Sequence, residues 1–179
     1  MNTPVQYVVL YGYNLDPITY SWAGTEYTNI LSRESNIDME ISYASDSTGY
    51  STKFFFPEKF AYDYFLDGRF YGHFTLKNES GSAITYNKTT ITLKKIDISG
   101  NEEVVSSMSK SYSAITVEDG DYSKLFFDVD IEKKRIRASE RLVLTVGYTG
   151  HTAFSFSHDI DTSFGHDVII HLPVASRGR

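Results

Sequence analysis

The chain has 179 residues and a formal net charge of −6 at pH 7, and it contains no cysteine. It is long enough to bury a core without staples, and the missing cysteines exclude disulfides and zinc–thiolate sites. The negative charge argues against nucleic-acid partners, because sequence-independent affinity comes from neutralising phosphates. Residues 1–4 carry no positive side chain and the apolar run at 8–10 is short. We therefore expect neither a secretory signal nor a membrane span.

The first predicted strand covers residues 5–13. Both of its faces are apolar, with Val5, Tyr7, Val9, Tyr11 and Tyr13 on one parity and Val8 and Leu10 on the other. This pattern favours a central strand that is covered on both sides. The alternative is a strand that packs against a neighbouring subunit.

The stretch 68–100 predicts a β-hairpin or two consecutive strands. Its arms, residues 69–76 and 84–98, alternate with period two and are separated by a turn-rich segment. In the second arm the apolar parity changes between Leu93 and Ile96. We therefore expect a β-bulge near Lys94 and Lys95, and the alternative is a strand that is partly buried on both faces.

Further strands are expected throughout the chain, at residues 37–43, 53–56, 102–108, 112–117, 125–132, 142–148, around 154–156 and at 168–172. Residues 20–31 are ambiguous, and residues 58–67 fit either a helical turn or a strand. The pattern predicts an all-β protein, a two-sheet antiparallel β-sandwich that is jelly-roll-like and has about ten short strands. We expect one domain over residues 1–174 and a short flexible tail over 175–179.

The densest polar cluster comprises His158, Asp159, Asp161, His166 and Asp167. Imidazole and carboxylate groups together can bind a divalent metal. The favoured interpretation is a polar turn between two strands, in which Asp and Ser side chains bond their own backbone. We therefore expect no metal and no other cofactor, and these five residues remain the candidates for a metal site.

No catalytic motif is recognisable in the sequence. It has no Gly-x-Ser-x-Gly elbow and no phosphate-binding glycine loop, so we expect no catalytic residues and no enzymatic activity.

The basic run at 133–137 adjoins acidic residues and is interpreted as a solvated hairpin end, with contact to another subunit as the alternative. The glycosylation sequons at Asn78 and Asn87 are interpreted as chance matches. Surface aromatics either stack on sugar rings or make rigid protein contacts.

Three segments carry a resemblance to a known class of protein. Residues 90–104 read Thr-Ile-Thr-Leu-Lys-Lys-Ile-Asp-Ile-Ser-Gly-Asn-Glu-Glu-Val, and residues 139–146 read Ser-Glu-Arg-Leu-Val-Leu-Thr-Val. His158 and Asp159 then precede the closing Val-Ile-Ile-His-Leu-Pro at 168–173. Over residues 69–174 this pattern resembles the β-sandwich structural proteins of tailed bacteriophage and archaeal virus particles.

The resemblance implies a place in the virion. The protein would be made in the host cytoplasm and would decorate the capsid, form a minor capsid component or attach to the tail. Its partners would be other capsid or tail subunits in a symmetric assembly, including copies of itself, with no nucleic acid and no membrane. No catalytic residue carries over from the family pattern. The alternative function is a carbohydrate-binding or receptor-binding β-sandwich module.

Overall fold

The structure is a computed structural model, and it describes residues 5–15, 18–34, 39–41, 50–78, 80–150, 155–158 and 168–175. Within these ranges the chain forms strands, turns and irregular segments only, which confirms the all-β class. The described residues contain no helix of the length and apolar character that crossing a membrane requires.

Thirteen strands occur in the described part of the chain: β1 (Val5–Asn14), β2 (Tyr20–Trp22), β3 (Thr25–Tyr27), β4 (Asn29–Ser32), β5 (Met39–Ile41), β6 (Tyr50–Phe56), β7 (Tyr64–Lys77), β8 (Ile84–Ile96), β9 (Glu102–Val117), β10 (Tyr122–Ile136), β11 (Arg141–Gly150), β12 (Ser155–His158) and β13 (Ile169–Ala175). Several are longer than expected, because β7, β8, β9 and β10 have 14, 13, 16 and 15 residues. The two strands expected at 102–108 and 112–117 are one strand, β9. The stretch 68–100 forms two consecutive strands and not a hairpin, because in the described residues β7 pairs with β10, β12 and β13, whereas β8 pairs with β9 and β11.

Eleven of these strands belong to one sheet, in the order β5-β12-β7-β13-β1-β4-β6-β11-β8-β9, and β10 pairs with β7 outside this order. The expected two-sheet sandwich is not clearly formed, because β4 connects the strands on either side of it into one sheet. It pairs antiparallel with β1 and makes one parallel pair with β6, between Ile30 and Phe55. The sheet curls until β9 and β10 lie side by side, so it resembles a nearly closed barrel.

β1 is a central strand, as its two apolar faces predicted. It lies between β13 and β4 in antiparallel pairing. The alternative, that β1 packs against a neighbouring subunit, stays a prediction: Leu10 on one face is buried in the main core, whereas Tyr7 on the other face is exposed.

The main core fills the inside of the curled sheet. Period-two alternation sends one parity of each long strand inward, and in β7 this parity provides Phe70, Phe74 and Leu76. Gly72 has the same parity and lies beside β13. A Cβ at Gly72 would lie 2.9 Å from the Cα of Ile170. The glycine is therefore required by the spacing of β7 and β13.

A second, smaller core lies on the outer side of the sheet. It consists of Tyr27, Ile30, Phe55, Ile96 and Val143, with Leu15 and Trp22 packed against it. The hairpin formed by β2 and β3 covers this patch.

This second core explains the change of parity in β8. Leu93 faces the main core, whereas Ile96 faces outward and is buried in the second core. A register shift does lie between Leu93 and Lys94, but it is in the pairing with β9, where Val105 is the extra residue. Each of the two predicted alternatives therefore holds in part. β8 has buried side chains on both faces, and the bulge lies in its partner strand β9.

Two segments differ from their sequence interpretation. Residues 57–63 are irregular and β7 begins at Tyr64, so neither a helical turn nor a strand fills the whole ambiguous region. Ala175, which was expected in the flexible tail, is the buried last residue of β13.

Candidate functional site

Aromatic rings form two adjacent groups on the outer side of β1, β13, β7 and β10. We call this surface the aromatic face, and its rings are Tyr7, Tyr71, His73, Phe126 and His171. Antiparallel pairing brings these rings together, since His171 lies opposite Tyr71 and His73 lies opposite Phe126. Each ring has the parity opposite to the core side chains of its strand, so it points away from the core.

The rings of the aromatic face are in contact within each of the two groups. Tyr71 and His171 stack with centroids 4.4 Å apart and planes at 4°, and Tyr7 meets Tyr71 edge-on at 5.4 Å. Phe126 lies 5.6 Å from His73 and is 65% exposed, while Tyr7 is 43% exposed. Burying such rings against a partner would be favourable.

An ion pair lies beside these rings. Arg69 donates from Nε to Oδ1 of Asp128 over 2.7 Å, and its guanidinium lies 4.8 Å from the centre of the Tyr71 ring. The hydrogen bond from Arg69 lowers the pKa of Asp128 below its ordinary value, so both groups are charged at neutral pH. The face therefore combines apolar rings with one charge of each sign.

His171 is held in its neutral form. Burial, with a smaller contribution from the charge of His73, lowers the pKa of His171 below its ordinary value. Its Nδ1 atom is buried without a hydrogen-bond partner, and its ring stacks on Tyr71. Its neutral form is therefore favoured, and the ring contributes an aromatic surface.

A second surface feature is an open groove beside the irregular segment 57–63. We call it the aromatic groove, and its lining comprises Phe60, Ala61, Tyr62, Asp63, Tyr64, Val174 and Ala175. Phe60 and Tyr64 are in contact with ring centroids 4.2 Å apart, whereas Tyr62 is 72% exposed. Burial raises the pKa of Tyr64, so its hydroxyl remains protonated.

Asp63 gives the aromatic groove a fixed polar group. Its Oδ2 accepts from Nε of Arg135 over 3.0 Å, and its Oδ1 accepts from the backbone N–H of Ala138 over 2.9 Å. Because β10 and the following turn hold the carboxylate from two sides, its orientation is set before any ligand arrives.

The five metal candidates lie almost entirely outside the described residues. His158 is the last residue of β12, where its backbone pairs with Met39, and Asp159, Asp161, His166 and Asp167 are not described. In the described ranges no three His, Cys, Asp or Glu side chains are grouped as a metal site would need. The metal cluster and its alternative, a polar turn, both remain predictions.

The basic run at 133–137 is not a hairpin end, and that interpretation was wrong. Most of it lies inside β10, and three of its four charged side chains contact a partner within the chain. Lys134 pairs with Glu103 and Arg135 with Asp63. Lys133 lies 4.9 Å from the centre of the Phe65 ring.

Sequence reasoning found parts of the aromatic face without joining them. It placed Tyr7 on one parity of β1 and Tyr71 on one parity of β7, but not the strand order that makes them neighbours. Phe126 offered a usable signal, because it shares its parity with Asp128 and Asp130, where a core residue is not expected. Strands distant in sequence meet here, and alternation alone does not reveal that.

No protein-family model and no curated protein matches the chain. Solved structures share its fold. A CocE/NonD family hydrolase from Staphylococcus aureus has a TM-score of 0.65 at 12% identity, over 96% of this chain and 37% of that chain. An aminopeptidase from the marine sediment archaeon Thaumarchaeota archaeon has a TM-score of 0.66 at 9% identity, over 98% of this chain and 38% of that chain.

An α-amino acid ester hydrolase is also similar, with a TM-score of 0.57 at 11% identity over 94% of this chain and 36% of that chain. At these identities the likeness concerns the fold alone. The chain spans little more than a third of the length of each of these three proteins.

Proposed function

We propose that the chain is a virion structural protein that acts through protein–protein contacts in a symmetric assembly. It would serve as a capsid decoration, minor capsid or tail-associated subunit, without a catalytic step or a cofactor. The observation that supports this function is the aromatic face, where Tyr7 and Phe126 are exposed beside the Arg69–Asp128 pair. Tyr, Phe and Arg are enriched at protein interfaces.

The partner that we propose for the aromatic face is a protein subunit of the particle, copies of this chain included. The Arg69–Asp128 pair offers one charge of each sign, and a subunit with complementary charges can pair with both. Asp130 is also exposed on β10. A phosphate backbone or an acidic lipid surface would meet these carboxylates and be repelled.

The finer description of the fold belongs to the same proposal. We propose a jelly-roll-like body whose first layer is β10, β7, β13 and β1 and whose second layer is β6, β11, β8 and β9. Side chains of both layers meet inside, since Phe70 of β7, Leu93 of β8 and Leu144 of β11 line one small apolar void. Such a rigid body suits a subunit that contributes a preformed surface.

Mass spectrometry of particles made by the genome that encodes the chain tests the virion role. We expect the chain in stoichiometric amounts. A Phe126→Ser variant should be retained about tenfold less, because a central exposed ring carries much of an interface's affinity. Tyr62→Ser is the matched control, since Tyr62 is comparably exposed but lies in the aromatic groove. Particles without the chain, or full retention of Phe126→Ser, would contradict the proposal.

The second candidate function is a carbohydrate-binding or receptor-binding module. The aromatic groove favours it, because a concave surface with exposed aromatic and fixed polar groups is typical of ligand sites. We expect the purified chain to bind glycans on an array, tested with and without calcium. Silence under both conditions excludes this function and leaves the virion role untouched.

A further inference from the structure

We infer that the aromatic face is a two-fold interface between two copies of this chain. The inference rests on the proposed virion function and names one partner for the same surface. Two copies related by a two-fold axis present the same patch to each other, so every pairing between them occurs twice. A surface suits this role when it is exposed, apolar and carries charges that match those of its own copy.

The outer side of β1 extends the aromatic face with further apolar side chains. The parity of Tyr7 is apolar or aromatic throughout residues 5–11. Val5 is 40% exposed beside Tyr7, and the exposed ring of Phe126 lies on β10, on the far side of β13 and β7. Exposed apolar groups thus lie at both sides of a surface four strands wide. The solvated face of a sheet normally carries polar side chains, so this patch marks an interaction site.

Two charged groups of the face have unused hydrogen-bonding capacity. Nε and Nη2 of Arg69 donate to the carboxylate of Asp128, whereas Nη1 donates to no acceptor among the described residues. Asp130 lies directly opposite Arg69 in the pairing of β10 with β7. Its exposed carboxylate makes no hydrogen bond or ion pair with any part of the chain that the structure describes. The face therefore holds a donor without an acceptor next to an acceptor without a donor.

A second copy of the chain supplies the matching charges. When Asp130 of one copy approaches Nη1 of Arg69 in the other, the two-fold axis forms the same ion pair a second time. The Arg69–Asp128 pair inside each copy stays intact, so no charge loses its partner. A partner with only acidic or only basic groups would match one of the two sites and leave the other without a counter-charge.

The size of the face determines the expected strength of the dimer. Four strands spaced by about 4.8 Å, over a length of about 20 Å along β1, give roughly 400 Å² in projection. Each partner in a standard interface buries roughly 800 Å², about twice as much. We therefore expect a dissociation constant in the micromolar range. A contact of this strength suits an assembly in which it is repeated.

Sedimentation equilibrium of the purified full chain measures the dimer, and circular dichroism checks that each variant is folded. We expect Phe126→Ser to raise the dissociation constant at least about tenfold, because each dimer loses two exposed rings from its contact. Asp130→Lys should also raise it at least about tenfold, since each new ammonium meets Arg69 of the other copy.

Glu26→Lys is the matched control for the Asp130 substitution. It makes the same change of charge at an exposed residue of β3, in the hairpin that covers the second core. That hairpin lies on the outer side of β6, β8 and β11, away from the aromatic face. The dissociation constant should stay within about twofold of the unchanged chain.

Two results would overturn the inference. One is a chain that stays monomeric up to about 1 mM, and the other is a dimer that Phe126→Ser and Asp130→Lys weaken no more than Glu26→Lys does. The virion role fails on a different observation. A dimeric chain that is absent from particles keeps this interface and rejects the virion role, whereas a monomeric chain found in particles does the opposite.

Discussion

Asn78 shows at the scale of one residue how a sequence motif and the structure can disagree. Its context matches a glycosylation sequon, yet the residue is fully buried. Nδ2 donates to the carbonyls of Ser82 and Val117, each over 2.8 Å. The side chain thereby ties the turn after β7 to the end of β9, and its amide is already used. This fits the interpretation of the sequon as a chance match.

Removing this amide should destabilise the protein. We expect Asn78→Ala to lower the free energy of unfolding by about 2–4 kcal/mol, because two carbonyls lose their donor inside the fold. Urea denaturation followed by circular dichroism measures the change. Asn87→Ala is the control, since Asn87 sits in the second sequon but is exposed on β8, and it should change stability by no more than about 0.5 kcal/mol. Equal effects of the two substitutions would contradict the role of Asn78.

At the scale of elements, the β2–β3 hairpin is the part that alternation did not reveal. Its rings gather around Phe55, where Tyr27 stacks at 4.6 Å and Tyr20 lies at 5.2 Å. Trp22 donates from Nε1 to the carbonyl of Asp97 over 3.2 Å. The buried Arg141 places its guanidinium 4.3 Å from the centre of the Trp22 ring. The hairpin therefore covers a patch of the outer sheet surface that would otherwise be apolar and exposed.

Weakening the stack on Phe55 should release the hairpin before the barrel-like sheet unfolds. We expect Tyr27→Ala to cost about 2–4 kcal/mol and to shift the emission of Trp22 to longer wavelength. Because Trp22 is the one tryptophan of the chain, its fluorescence reports on this hairpin, while far-ultraviolet circular dichroism follows the sheet. Tyr20→Ala, at a partly exposed ring, should cost about 1 kcal/mol or less. A simultaneous loss of both signals in Tyr27→Ala would show that the hairpin is not a separate unit.

At the scale of the whole molecule, side-chain contacts connect β9 and β10, the two strands between which the backbone pairing of the sheet ends. β9 pairs with β8, and β10 pairs with β7. Lys95 of β8 lies near both strands, 3.5 Å from Glu103 of β9 and 3.2 Å from the carbonyl of Arg135 in β10. It also pairs with Glu140 over 3.4 Å, and the exposed fractions of these two side chains are 13% and 10%. A largely enclosed cation thus holds three elements together.

The neighbouring lysines of β8 allow a paired test of this closure. We expect Lys95→Met to lower the free energy of unfolding by about 1–3 kcal/mol, because Glu140 loses its cationic partner in a partly buried place and keeps only the backbone N–H of Arg137. Lys94→Met removes the more exposed pair with Glu102, whose lysine is 35% exposed, and should cost about 0–1 kcal/mol. Urea denaturation at low and high salt distinguishes the effects of the two substitutions, since salt screens the exposed Lys94–Glu102 pair more strongly than the enclosed Lys95–Glu140 pair. A larger loss for Lys94→Met would refute the closing role of Lys95.

The all-β class and most strand positions could be predicted from the sequence, because alternation is a local property of the chain. The parity of β7 correctly separated Phe70 and Phe74 from Arg69 and Tyr71, and the two apolar faces of β1 correctly placed it inside the sheet. The same local rule failed where burial came from a distant segment. Ile96 is buried by the β2–β3 hairpin and not by the main core. Its parity therefore led us to expect a bulge in β8, whereas the bulge lies in β9.

By itself, then, the sequence determined most of the strands and the apolar side of the long ones, since both follow from the period of the chain. Only the tertiary structure decided the strand order, the single curled sheet and the two surfaces with functional potential. The aromatic face combines residues 7, 71, 73, 126 and 171, and the aromatic groove joins segment 57–63 to the end of β13. These neighbours are set by long-range pairing and burial, which no local pattern records.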